Sequence, residues 1–185
     1  QGYSSAASDV YKRQRKMRQS DVMVYLMTGF LDSGKTQFLT FTLEQDYFQI
    51  QGKTLLILCE EGEEEYDPKE MLKYGVVIEK VEDKEDLTEA WLEEMNRKHK
   101  PERVVVEYNG MWPVSDFEKL ALPAGWKIEQ KIATVDASTF QMYLTNLKPL
   151  FVEMVKGAEL VLFNRCEDRG PLAGYRRSVK VVSPQ

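Results

Sequence analysis

Cysteine and histidine are nearly absent from this chain: two cysteines and one histidine occur among its 185 residues. Cys59 and Cys166 lie far apart and form no C-x-x-C, which excludes a disulfide framework and a zinc ribbon. A reducing, cytoplasmic setting is the resulting expectation. His99 sits in RKHKPER at the end of a predicted helix, where a cation suits the dipole, and reads as neither catalytic nor metal-binding. No apolar run approaches the ~20 residues of a membrane span, and no secretory apolar core lies near the N-terminus. Internal repeats and low-complexity segments are missing as well. What remains is a composition 43% hydrophobic, which suits one domain with a true core.

Charge is unevenly placed. The net value is −5, yet residues 1–20 hold five basic residues and one acid, which leaves −9 on the rest. An acidic body argues against a nucleic-acid surface. The basic stretch contains SAASDVYKRQ (Ser5 to Gln14), which resembles the translated read-through of a sequencing-library adapter. Residues 1–20 are therefore expected to be a non-native or disordered tail, with the native start near Met17 or Met23 and one domain over 21–185. A basic targeting arm is the alternative.

The most informative stretch is Gly29 to Thr36, GFLDSGKT, with the G-x-x-x-x-G-K-[ST] spacing of a phosphate-binding P-loop. It follows the apolar run Val22 to Met27 and leads into TQFLTFTLEQ, which reads as a helix. That strand–loop–helix setting separates it from a chance glycine-rich turn. Gly29 and Gly34 let successive backbone N–H groups point inward as an anion nest. The helix starting near Lys35 aims its positive end at the same phosphates. Lys35 is placed to reach the β- and γ-phosphates, and the Thr36 hydroxyl to ligate Mg²⁺. The binding set is thus Gly29, Phe30, Leu31, Asp32, Ser33, Gly34, Lys35, Thr36 and Gln37.

Further strands are predicted at Lys53–Cys59, Val76–Val81, Arg103–Glu107, Lys127–Val135 and Glu159–Phe163. Helices are predicted from Asp86 to Lys98, capped by Asp86 or Thr88, from beyond Pro113 to Leu120, from Ser138 to Lys156 with a break at Pro149, and from Leu172 to Val182. The acidic run Glu60–Asp67 reads as a solvated, mobile loop rather than a metal-collecting cluster. Strands alternating with helices imply an α/β fold: an open, mostly parallel sheet flanked by helices in three layers. Ligands in such folds sit at the carboxyl ends of the strands, which selects Gly29, Cys59–Glu60, Glu107, Asp136 and Asn164.

Glu107 ends an apolar strand and is followed by Tyr108, Asn109 and Gly110. An acid there matches the group that holds Mg²⁺ directly or through water, and Gly110 is placed to give its N–H to the γ-phosphate. Asn164 ends the last strand in FNRCED, where guanine-specific P-loop proteins carry N-K-x-D. Only the Asn of that tetrad is kept. Arg165 offers an aliphatic stem to the base, and Glu167 or Asp168 an acceptor for guanine. These residues favour guanine over adenine. Cys59 and Cys166 read as packed thiols, and Trp91, Trp112 and Trp126 as core or switch packing.

Taken together, VYLMTGFLDSGKT, ILCEEG, VVVEYNGMWP (E-x-x-G followed by Pro), TVDAS and ELVLFNR resemble the CobW/HypB/UreG family of GTP-binding metallochaperones, from about Val22 to Val182. The resemblance implies GTP and Mg²⁺ as ligands, with Lys35, Thr36, Glu107 and Gly110 in the catalytic role. Thr36 and Glu107 would hold Mg²⁺, with Glu60 a further candidate ligand in the segment that responds to nucleotide state. Asn164, Arg165 and Glu167 would surround the guanine. It also implies slow Mg²⁺-dependent GTP hydrolysis coupled to metal or cofactor insertion into a client protein, and a homodimer in some members. No arginine finger or water-orienting Gln can be assigned, in keeping with slow turnover. The chain departs from the family's C-x-C-C motif, having Cys59 alone, and carries DSGKTQ in the loop. It stops soon after the last matched strand, so a C-terminal region is expected to be missing. The competing readings are an ATP-dependent small-molecule kinase, for which no arginine-rich lid is visible, and a non-hydrolysing nucleotide-binding scaffold.

Overall fold

The computed structural model describes residues 21–60, 62, 65–167 and 173–182. The expected tail at 1–20, Glu61, Glu63, Glu64, Asp168 and Leu172 lie outside the described residues. Six strands carry the fold: β1 (Val22–Gly29), β2 (Thr54–Leu58), β3 (Val76–Lys80), β4 (Arg103–Glu107), β5 (Trp126–Asp136) and β6 (Leu160–Asn164). All pair in parallel, in the order β3-β2-β4-β1-β5-β6. The helices among the described residues are α1 (Lys35–Leu43), α2 (Pro68–Lys73), α3 (Glu89–His99), α4 (Val114–Glu118), α5 (Phe140–Asn146), α6 (Lys148–Lys156) and α7 (Ala173–Val182). None of them is long and apolar enough to cross a membrane.

The continuous apolar runs of β2 and β4 are explained by burial on both faces, since every residue of both strands is buried. Alternation sends Val104, Val106, Leu55 and Ile57 to one side. There they meet Leu92 and Met95 of α3, Phe117 of α4, Phe140 of α5 and Phe151 of α6. Val105, Leu56 and Leu58 point to the other side, against Leu39 and Leu43 of α1 and Met71 of α2. The result is the three-layer α/β/α arrangement expected from the sequence, with the P-loop strand β1 between β4 and β5. The chain leaves β1 toward one edge and later returns toward the other, so β1 and β4 flank the switch in strand order.

Several boundaries differ from expectation for local reasons. Thr88, rather than Asp86, caps α3, its Oγ1 accepting the Trp91 N–H at 3.2 Å. Asp86 instead belongs to a short 3-10 turn. Pro149 does divide the predicted long helix, falling in the first turn of α6 where its missing N–H costs nothing. The acidic run is not a solvated loop throughout. Asp67 accepts the N–H groups of Lys69 and Glu70, Pro68 opens α2, and Met71 anchors that helix in the core. His99 ends α3 with Nε2 2.5 Å from Glu79 Oε1.

Candidate functional site

Register alone brings the strand ends together. Met27 of β1 pairs with Glu107 of β4, and Leu58 of β2 pairs with the same Glu107. On the other side of β1, Gly29 lies beside Thr134 of β5, and Asp136 pairs with Asn164 of β6. The loop from Gly29 to Thr36 therefore rises between Glu107 on one flank and Asp136 and Asn164 on the other.

Within the loop, Lys35 folds its side chain back beneath the turn. Its Nζ donates to Gly29 O at 2.7 Å and Phe30 O at 3.0 Å, and lies 2.5 Å from Glu60 Oε2. Ser33 Oγ pairs with Thr134 Oγ1 at 2.7 Å, so this side chain faces the sheet and offers only its backbone to a ligand. Phe30 does likewise: its ring is buried and stacks on Tyr143 with centroids 4.0 Å apart. Leu31, Asp32 and Gln37 are exposed at the mouth. Gly34 is the N-cap of α1 at φ +99°, a conformation glycine accepts without strain. A Cβ on Gly34 would stand 2.3 Å from Asn164 Nδ2. That is the close approach of a backbone cradle.

Thr36 and Glu107 meet as expected. Thr36 Oγ1 donates to Glu107 Oε1 at 2.8 Å. The other carboxylate oxygen accepts from Tyr66 Oη at 2.5 Å. Glu107 is 3% exposed. Burial raises its pKa above the ordinary carboxyl value, against the lowering effect of the Tyr66 and Thr36 hydrogen bonds and the Lys35 charge. A hydroxyl and a carboxylate in contact are hard oxygen donors of the kind Mg²⁺ takes, so the residues present fit that ion. Among the described residues, no three of His, Cys, Asp and Glu converge into a larger metal cluster.

Gly110 is brought to the loop but not left open. Its N–H donates to Glu60 Oε1 at 3.2 Å. A Cβ there would lie 2.3 Å from Gly29 O and 2.6 Å from the Phe30 Cα, so only glycine lets the two backbones touch. Cys59 is buried beneath this point, and burial, reinforced by the charges of Glu107 and Glu60, pushes its thiol well above the usual range. It is a packed thiol, in line with the sequence reading.

On the far flank, Asn164 Nδ2 reaches Ser33 O at 3.4 Å and its Oδ1 accepts the Arg165 N–H at 2.8 Å. Arg165 Nη1 donates to Asp136 Oδ2 at 2.5 Å and to Asp32 O at 2.8 Å, which ties the turn after β6 across the loop. Asp32 and Arg165 both adopt left-handed backbone, at φ 56° and 52°. Such strain in non-glycine residues gathers at ligand sites. Burial alone would raise the pKa of Asp136, but the Ser138 and Arg165 hydrogen bonds outweigh it and hold the carboxyl below its ordinary value. Glu167 is exposed and does not line the cleft.

Asp136 stood among the predicted strand ends without an assigned role; in the structure it accepts from the Ser138 N–H and from Arg165. One contributor escaped the sequence reading. Tyr66 lay hidden in the acidic run, where the helix-start signal of Asp67-Pro68 would have shown that the chain turns back toward the sheet.

The sequence profile of the CobW/HypB/UreG nucleotide-binding domain matches residues 23–170. No curated protein sequence matches the chain. Among solved structures, the hydrogenase maturation factor HypB from Archaeoglobus fulgidus is similar in fold, with a TM-score of 0.62 at 16% identity over 96% of this chain and 85% of that one. Strand order, loop and profile agree, and the chain belongs to the CobW/HypB/UreG nucleotide-binding domain family.

Proposed function

We propose that this protein binds GTP with Mg²⁺, hydrolyses it slowly, and uses the nucleotide state to drive metal or cofactor insertion into a client protein. The observation that carries the reading is the meeting of Thr36 and Glu107 beside Lys35 and Gly110, at the carboxyl ends of β1 and β4.

In this reading the backbone N–H groups at the start of α1 and the Lys35 ammonium receive the phosphates. Thr36 and Glu107 hold Mg²⁺, which supplies charge neutralisation across the phosphates when bound. Glu107 keeps its geometry through Tyr66, and Gly110 offers an N–H to the end of the phosphate chain. Asn164 faces the guanine, with the Arg165 stem against the ring. Arg165's guanidinium is committed to Asp136 and Asp32 O, so it does not act as a finger on the reacting phosphate. Catalysis is then positioning and electrostatics alone, which keeps turnover low. Family membership is the support for a client metalloprotein, a homodimer and a cytoplasmic setting.

Phosphate release from GTP and ATP tests this directly. The expected result is release from GTP, dependent on Mg²⁺ and well below the ~1 s⁻¹ of dedicated kinases. Transfer to a metabolite, or turnover in the kinase range, would overturn the reading.

A further inference from the structure

Glu60 is an acid that the chain turns inward. It follows Cys59 at the carboxyl end of β2, yet its side chain is only 9% exposed and that of its partner Lys35 only 3%. One oxygen lies 2.5 Å from Lys35 Nζ and the other accepts the Gly110 N–H at 3.2 Å. Two donors from separate elements thus converge on a single anionic group: the P-loop ammonium and the backbone N–H of the turn after β4. A terminal phosphate would need this same pair, since it also presents several oxygens around one centre to fixed donors. Lys35, Thr36, Glu60 and Glu107 help to line a narrow cleft of ≈ 50 Å³. The hydrogen bonds of Glu60 go to Lys35 and to the Gly110 N–H, and none goes to the N–H groups at the start of α1, where inner phosphates would lie.

We propose that Glu60 is the residue that sets preference between nucleoside diphosphates and triphosphates, its carboxylate standing in the place of the third phosphate in the free protein. The proposal rests on the nucleotide-binding reading above and adds which phosphate count the site favours. A diphosphate binds beside Glu60 and leaves the ion pair intact. A triphosphate binds only when Glu60 leaves. Lys35 then stays paired, with phosphate in place of carboxylate, but the triphosphate gains nothing for the contact it replaces and meets a like charge on the way in. The penalty falls chiefly on the triphosphate.

The test is affinity for a fluorescent GDP and a fluorescent non-hydrolysable GTP analogue, both in chelator so that no metal bridges the phosphates. The wild-type protein should bind the diphosphate at least as tightly as the triphosphate, despite the latter's greater charge. Glu60→Gln keeps the shape and an acceptor for Gly110 but removes the charge, and Glu60→Ala removes the competitor altogether. In both variants triphosphate affinity should rise by about tenfold, the worth of one charge-assisted contact. Diphosphate affinity should change much less than triphosphate affinity, and far-UV circular dichroism reports that the variants are folded. An equal change for both nucleotides, unchanged or weaker triphosphate binding in the variants, or a wild-type protein that already prefers the triphosphate would each overturn the proposal. A wild-type protein that binds neither nucleotide would instead remove the nucleotide reading on which it stands.

Discussion

Glu107→Gln should stabilise the free protein at neutral pH while damaging its site. Glu107 is 3% exposed, and its folded-state pKa is raised above the ordinary 4.5, chiefly by burial. A carboxyl raised on folding binds its proton more readily in the folded chain than in the unfolded one. Its contribution is therefore complete below pH 4.5 and is lost as pH rises through the folded value. At pH 7 the ionised form is a net cost. Gln removes that cost and can still accept from Thr36, but its amide forces Tyr66 to accept rather than donate. A net gain is expected, read as a higher Tm than wild type at pH 7. Thermal unfolding in chelator from pH 4 to pH 8 measures it. The gap should be largest at pH 7 to 8 and close near pH 4.5. A variant less stable than wild type at pH 7, or a gap that widens as pH falls, would refute the reasoning. The same variant should weaken Mg²⁺-dependent nucleotide binding by about tenfold or more.

Other substitutions separate scaffold from site. Gly110→Ala drives a methyl to 2.3 Å from Gly29 O, where only backbone could yield; it should cost about 2 kcal/mol, or about 6 °C in Tm, and nucleotide titration should show binding lost. Tyr66→Phe deletes the hydrogen bond to Glu107, so melting should fall by about 3 °C at pH 7. The pH at which stability declines should also move upward, because that bond lowers the Glu107 pKa. Thr88→Ala removes only the α3 cap; it should lower stability by about 1 kcal/mol with nucleotide affinity unchanged, and a change in affinity would show that α3 is coupled to the site.

The sheet was legible because β2 and β4 are buried on both faces, which leaves unbroken apolar runs such as LLIL and RVVVE that only a parallel sheet needs. The P-loop was legible because its glycines act through backbone geometry and its lysine and threonine through side chains, all at fixed spacing. Glu107 and Asn164 were found as strand ends. What the sequence concealed were contacts made by long-range closure. Nothing local shows that Glu60 turns inward to Lys35, 25 residues back, or that Tyr66 reaches Glu107, 41 residues on. A string of acids reads as solvated because most such strings are, and here Glu60 and Tyr66 are drawn into the site. Phe30 and Ser33 show the reverse: inside the motif by position, their side chains serve the core and the sheet.

The central claim is that the loop around Lys35 binds guanine nucleotide. Titration of fluorescent GTP and ATP in Mg²⁺, on the wild-type protein and on Lys35→Ala, tests it most directly. The account predicts GTP-selective binding that is lost in the variant. Preference for ATP, equal binding by wild type and variant, or no binding of either nucleotide would contradict it.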